Sequence, residues 1–390
     1  MYKMWNLEAE QEKTKHLAGY FYYAMAECER WFGKFGDAEI QCQVLTWHRS
    51  MTLPLSKTHD NYVILLALCV SDNSTKIELG HEMYHVLTAW RRGLRQRMAV
   101  DEMLAILTSR QLLISQDVDL YIRTVEQRSL FGDPAQVNLY TLFKSKFDRR
   151  PEPSSHEPFV SLQIADAIVR TGKALVSIAG WSNICAILQA FTFEEWIESI
   201  EDSVIRTQIE EVLELDIPTT TAGVCLHNAY TAEQSCAYAR ALFWLGRHAQ
   251  AIELLSIDTS DLKDDVNARQ LLADLLFHTG NVEEATVMYT SLLADDPENT
   301  RVRTDFGMQL LICSKHRGAI KQLTQALGEQ PGVPEVQYHL GVAYWRAQQY
   351  LRAEECWNAV DGTNNHYLLE GIRLARESST TTVLPFFSSL

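Results

Sequence analysis

The chain has 390 residues, enough for two or three domains. Hydrophobic residues make up 46% and charged residues 22%, which excludes a mainly disordered or collagen-like protein. A formal net charge of -15 sets the surface against phosphate backbones and anionic lipid, so nucleic acid is not expected as the main partner.

The first residues, Met1 to Glu8, are charged early and carry no long apolar core, so no secretory signal is expected. The eight cysteines are scattered with no C-x-x-C pair, which points to reduced thiols in a cytoplasmic protein. Residues Glu8 to Phe35 predict a long helix with an aromatic face of Tyr20, Tyr22, Tyr23 and Trp31. Glu39–Trp47 alternates like a strand, and Tyr62–Val70, rich in Val, Ile and Leu, reads as a buried one. Thr75 is placed to cap the helix that follows, which runs through Ile77, Met83, Tyr84 and Leu87. Another apolar-periodic helix is expected at Glu102–Leu113.

The first of these helices carries His81-Glu82-Met83-Tyr84-His85, an H-E-x-x-H motif. Residues four apart share a helix face, so His81 and His85 can hold one zinc ion between them. Glu82 is then placed beside the metal-bound water as a general base. A catalytic zinc site needs a third protein ligand and one open position. With a buried strand ahead of the motif, the region of about 60–115 resembles a zincin, and more closely its gluzincin branch. That resemblance implies a third ligand from a following helix, which falls on Glu102. Asp101 is placed as the partner of a histidine N–H or as the alternative ligand. It further implies a transition-state donor, for which His59, Tyr121, Tyr140 and His156 are candidates. The basic run Arg91 to Arg97 reads as a solvated helix end, or as a cradle for an acidic substrate segment.

Residues 144–155, rich in proline and charge, read as a linker or exposed loop between an N-terminal domain (1–143) and a helical bridging region (156–230). Within the latter, Ala174–Phe191 holds no charged residue. Its Ser, Gly, Asn and Gln content favours a buried helix over a membrane span.

Downstream, Ala251, Ala285, Ala319 and Ala353 recur at intervals of 34, and Pro297 and Pro331 keep the same phase. The pattern resembles the tetratricopeptide repeat (TPR), in which small residues let two helices cross closely and units stack around a groove. About four repeats and a capping helix are expected over 231–377, followed by a flexible tail at 378–390.

The fold class expected from these readings is an α+β zincin-like domain, an all-α middle region and an α-solenoid. The resemblances imply a zinc metallopeptidase with catalytic Glu82 and metal ligands His81, His85 and Glu102, its protein or peptide substrate recruited by the TPR groove. Two alternatives stand beside it: a TPR interaction scaffold with an inactive zincin-like domain, or a zinc hydrolase acting on a small molecule or cell-wall peptide.

Overall fold

The computed structural model describes residues 3–5, 11–33, 39–45, 51–54, 61–67, 72–92, 98–114, 162–190, 192–214, 230–257, 260–361, 372 and 375–376. They fall into two compact units, one holding the described residues up to 214 and the other those from 230 onward.

In the first unit, helix α1 (Gln11–Phe32) buries Leu17, Tyr20, Phe21, Ala24, Met25, Cys28 and Phe32. These recur three and four apart and form one stripe. Tyr22, expected on the aromatic face, is half exposed because it lies off that stripe. Strands β1 (Lys3–Trp5), β2 (Glu39–Leu45), β3 (Met51–Pro54) and β4 (Asn61–Ala67) form a sheet in the order β1-β2-β4-β3. All pairs are parallel except β3 with β4, which puts an antiparallel strand at one edge. Ile40 and Cys42 on β2 pair with Tyr62 and Ile64 on β4, and all four are buried. Such period-two burial marks one covered sheet face. Helix α2 (Asp72–Arg92) packs on α1, β3, β4 and α3 (Met98–Ile114). Thr75, expected as its cap, is buried one turn inside it.

Helix α4 (Leu162–Cys185) packs on α3 and on α6 (Ser203–Glu214), with α5 (Phe193–Ser199) between α4 and α6 in the chain. Gly180 (φ 73°, ψ 161°) interrupts α4, a conformation that strongly favours glycine. The window 170–188 is long and apolar enough to cross a membrane, yet 61% of it is buried inside the unit.

The expected fold class is therefore corrected. Helices α4 to α6 do not form a separate middle layer after an α+β zincin-like domain. Apolar stripes on α3 and α4 bury each other and bind the sheet and these helices into one unit. The strands are three to seven residues long, and helices carry most of the described chain.

The second unit is a TPR-like array. The first helices of its four pairs are α7 (Ala232–Trp244), α10 (Val266–His278), α12 (Thr300–Ile312) and α14 (Pro334–Arg346). The second helices are α8 (His248–Leu255), α11 (Val282–Asp295), α13 (His316–Glu329) and α15 (Tyr350–Asp361). A short α9 (Ser260–Asp264) stands between the first and second pairs. Within each series the start positions are 34 apart, as 266−232 and 282−248 show. Ala251, Ala285, Ala319 and Ala353 are wholly buried where the helices cross. One half-buried ion pair, Arg303 to Glu329 at 3.1 Å, has a more exposed counterpart one period earlier in Arg269 to Asp295 at 2.7 Å.

The caps repeat as well. Thr231, Asp265 and Asn299 each accept a backbone N–H three residues on, and Pro334 takes the first helical position in the fourth unit. Each first helix ends in a Schellman turn, with N–H bonds from Arg247 to Leu242, Asn281 to Leu276, Lys315 to Leu310 and Gln349 to Tyr344. The left-handed residue in these turns is Gly246, Gly280, Ser314 and Gln348, with φ of 76°, 86°, 57° and 60°. A side chain there costs about 1 kcal/mol. Ser314→Gly and Gln348→Gly are each expected to stabilise the protein by ~0.5–1 kcal/mol. Gly280→Ala is expected to cost a similar amount, because a methyl at Gly280 meets no atom within 4 Å and backbone strain alone decides the outcome. Urea unfolding of the three variants checks both signs.

Candidate functional site

The repeat unit presents a regular surface. Glu233, Asn267, Arg301 and Glu335 occupy the same place near the start of the four first helices, and all are exposed. Glu253, Val287, Lys321 and Glu355 form the matching exposed row on the second helices. Charge is segregated along the array. Glu283, Glu284, Asp295, Asp296 and Glu298 gather in and after α11, while Arg301 on α12, Lys315 just ahead of α13, and Arg317 and Lys321 on α13 follow.

Between the second and third pairs lies a buried polar network. Asp274 on α10 accepts from the Tyr289 hydroxyl at 2.6 Å and the Gln309 amide at 2.5 Å. Asp305 on α12 accepts from the Gln270 amide at 2.6 Å. Burial and the two nearby carboxylates push the Tyr289 phenol well above its ordinary range, so it stays a donor. The sequence reading missed these residues. The 34-residue period alone could have placed Gln270 and Gln309 on adjacent first helices.

In the first unit, α2 brings His81 and His85 together, with Nε2 atoms 3.0 Å apart and ring centroids 4.7 Å apart. Two nitrogens on one tetrahedral zinc lie about 3.3 Å apart, so this pair fits two ligands of such an ion. Glu82 is buried beside them. Tyr84 points into the core, its ring 5.6 Å from Phe32. Gly80 lets α3 come close at this point: a methyl there would lie 2.9 Å from Leu112 and 3.0 Å from the Ser109 backbone. Glu102 and Asp101 stand near the start of α3, and their side chains lie outside the described ones. His59, Tyr121, Tyr140, His156 and residues 93–97 also lie outside the described residues.

No family model and no curated protein matches the chain. Among solved structures, MamA AMB-1 is similar at 17% identity with a TM-score of 0.32, over 52% of this chain and 98% of that one. A MamA mutant is similar at 17% identity and a TM-score of 0.31, over 54% and 97%.

The described residues correct the resemblance to a gluzincin. Among the described residues no three His, Cys, Asp or Glu side chains come together as a metal group. One helical turn suffices to pair His81 with His85, but the third ligand that defines a zincin must come from elsewhere in the chain. The motif's spacing carries no information about that approach.

Proposed function

We propose that this protein is an interaction scaffold whose TPR-like array binds a protein or peptide partner. The observation that carries this reading is the exposed row Glu233, Asn267, Arg301 and Glu335, repeated in phase along four stacked helix pairs. A surface built from identical steps matches an extended segment, which also repeats along its length. The segregated charge along the array favours a partner with complementary blocks of charge, bound less tightly as salt rises. Buried, neutral thiols such as Cys42, pushed up to about 12, and Cys236, pushed up to about 11, suit a reducing compartment such as the cytoplasm. A photo-crosslinking residue at Asn267 or Arg301 is expected to capture the partner, and one at Val287 or Lys321 is not. Equal capture from both rows would sink the reading.

The geometry of His81 and His85 favours a second reading, metal-dependent hydrolysis of a peptide by the first unit. His81, His85 and Glu102 would hold zinc, which when bound supplies an acidified water. Glu82 would take the proton from the attacking water and pass it to the leaving amine. About one zinc per chain is expected by elemental analysis, lost in the His81→Ala/His85→Ala double variant. Glu82→Gln should keep the metal and fold while losing hydrolysis by roughly two orders of magnitude. Full zinc content in the double variant would end the metal assignment. Unchanged turnover in Glu82→Gln would end the assigned base.

A further inference from the structure

A cavity of about 510 Å³ opens on the first unit where the end of α1 meets the corner between α4 and α5. Its lining includes Trp31, Ser182, Cys185, Gln189, Glu195 and Ser199. The volume lies within the range of small-ligand sites, and the mixture of one large aromatic wall with a few polar groups is also typical of them.

The corner is built and braced. Gly180 turns the chain, and the Trp196 indole donates to the Asn183 carbonyl at 2.9 Å, fastening α5 to the end of α4. Thr192 and Glu195 form a capping box, the Glu195 N–H bonding to the Thr192 hydroxyl at 3.2 Å and the Thr192 N–H to the Glu195 carboxylate at 3.3 Å. Trp181 meets the Trp31 ring edge-on at 5.4 Å and holds that wall upright.

The corner is mainly acidic, its nearby cations being Arg30 beside Trp31 and Arg206, which donates to the Ile200 carbonyl at 2.7 Å. From Ala174 to Ile205 the sequence contains no Lys, Arg or His, but it contains Glu194, Glu195, Glu198, Glu201 and Asp202, all exposed. Burial pushes the Cys185 thiol up to about 12, so it is uncharged at neutral pH. Glu195 then supplies the formal charge of the cavity lining. The Trp31 ring already attracts one cation: the Arg30 guanidinium, paired with Glu27, lies 5.7 Å from its centroid.

We propose that this cavity takes a basic side chain, arginine or lysine, from a protein partner, its cationic head set between the Trp31 ring and the Glu195 carboxylate. The aromatic face favours a desolvated cation, Glu195 supplies the counter-charge, and Gln189, Ser182 and Ser199 offer acceptors for remaining N–H groups. This site is separate from the repeat array and does not depend on what that array binds.

The test uses the full-length chain and three tripeptide probes, acetyl-Gly-Arg-Gly-amide, its lysine analogue and its neutral citrulline analogue, titrated by NMR at low salt. The arginine and lysine probes are expected to bind, with citrulline at least tenfold weaker. Glu195→Gln should weaken the arginine probe about tenfold and leave the melting curve unchanged, because glutamine holds the same capping box. Glu201→Gln, outside the lining, should change affinity less than twofold. Equal affinity for arginine and citrulline would overturn the proposal in favour of a neutral polar ligand. Equal loss in the two glutamine variants would overturn it in favour of a diffuse acidic field. No binding of any probe at millimolar concentration would also overturn it.

Discussion

Gly341→Ala is expected to destabilise the repeat unit by ~2–4 kcal/mol. A methyl at Gly341 would lie 2.2 Å from Nε1 and 2.5 Å from Cδ1 of Trp357, far inside van der Waals contact. The indole cannot easily withdraw. It is wholly buried, donates to the Tyr338 carbonyl at 3.2 Å, and has the Trp345 ring at 5.4 Å and the Arg376 guanidinium at 5.5 Å. Alanine's higher helix propensity offsets only about 1 kcal/mol of that clash. The same place in the third unit makes a sharp comparison. A methyl at Gly307 would lie 2.7 Å from Cγ of Leu323, and a leucine can change rotamer where an indole cannot. Gly307→Ala is therefore expected to cost under about 1.5 kcal/mol. In the second unit the pair is Ala273 with Tyr289, both wholly buried, so an alanine is compatible with this crossing when the partner ring is placed to suit. Trp357→Leu added to Gly341→Ala should recover part of the loss. Urea unfolding followed by circular dichroism checks the series, and a Gly341→Ala protein as stable as the parent would refute the packing argument.

Acid is expected to weaken the protein through His339. This residue on α14 is 2% exposed, and burial pulls its pKa from the usual 6.5 down to about 3. The unfolded chain therefore binds a proton at this side chain below pH 6.5, while the folded chain does not until about pH 3. Stability is fully present above the unfolded value and falls as pH drops, by about 1.4 kcal/mol per unit through that window. Between pH 7 and pH 4.5 the loss from this group is ~2–3 kcal/mol. Other groups titrate over the same range, so the informative quantity is a difference. His339→Gln keeps a polar side chain that cannot titrate. It should lose ~2–3 kcal/mol less than the parent between the two pH values. Parallel stability curves for parent and variant would show that His339 is protonated equally in both states.

How much of this was legible in the sequence differs sharply between the two halves. The alanines at 251, 285, 319 and 353 located the helix crossings because each unit repeats one local solution, and a local solution leaves a periodic trace. The same period holds the caps at Thr231, Asp265 and Asn299 and the left-handed turns ending at Gln348. Ser314 and Gln348 escaped notice because glycine is the usual marker of that conformation, and the backbone adopts it here without one. In the first unit, alternation and β-branched content placed β2 and β4. The short β1 and β3 were not expected, since three or four residues are too few to show a period. The joining of α4 to α3 depends on contacts between residues far apart in sequence, which no spacing encodes. The candidate site divides in the same way. His81 and His85 share one helical turn and could be read directly, whereas Glu102 was placed by resemblance. Trp31 and Glu195, more than 160 residues apart (195−31), became neighbours of one cavity only through the fold.

The hydrogen bonds from Gln309 to Asp274 and from Gln270 to Asp305 bear on the order of the rungs. Apolar faces that repeat every 34 residues are close to interchangeable, and an array held by them alone could stack with a rung skipped or duplicated. A carboxylate buried without its amide is penalised far more than a slightly misfitted leucine. Only α10 beside α12 brings Asp274 to Gln309 and Asp305 to Gln270. The second and third rungs thus carry a key that fits one neighbour, so transplanting either into another array would require moving both.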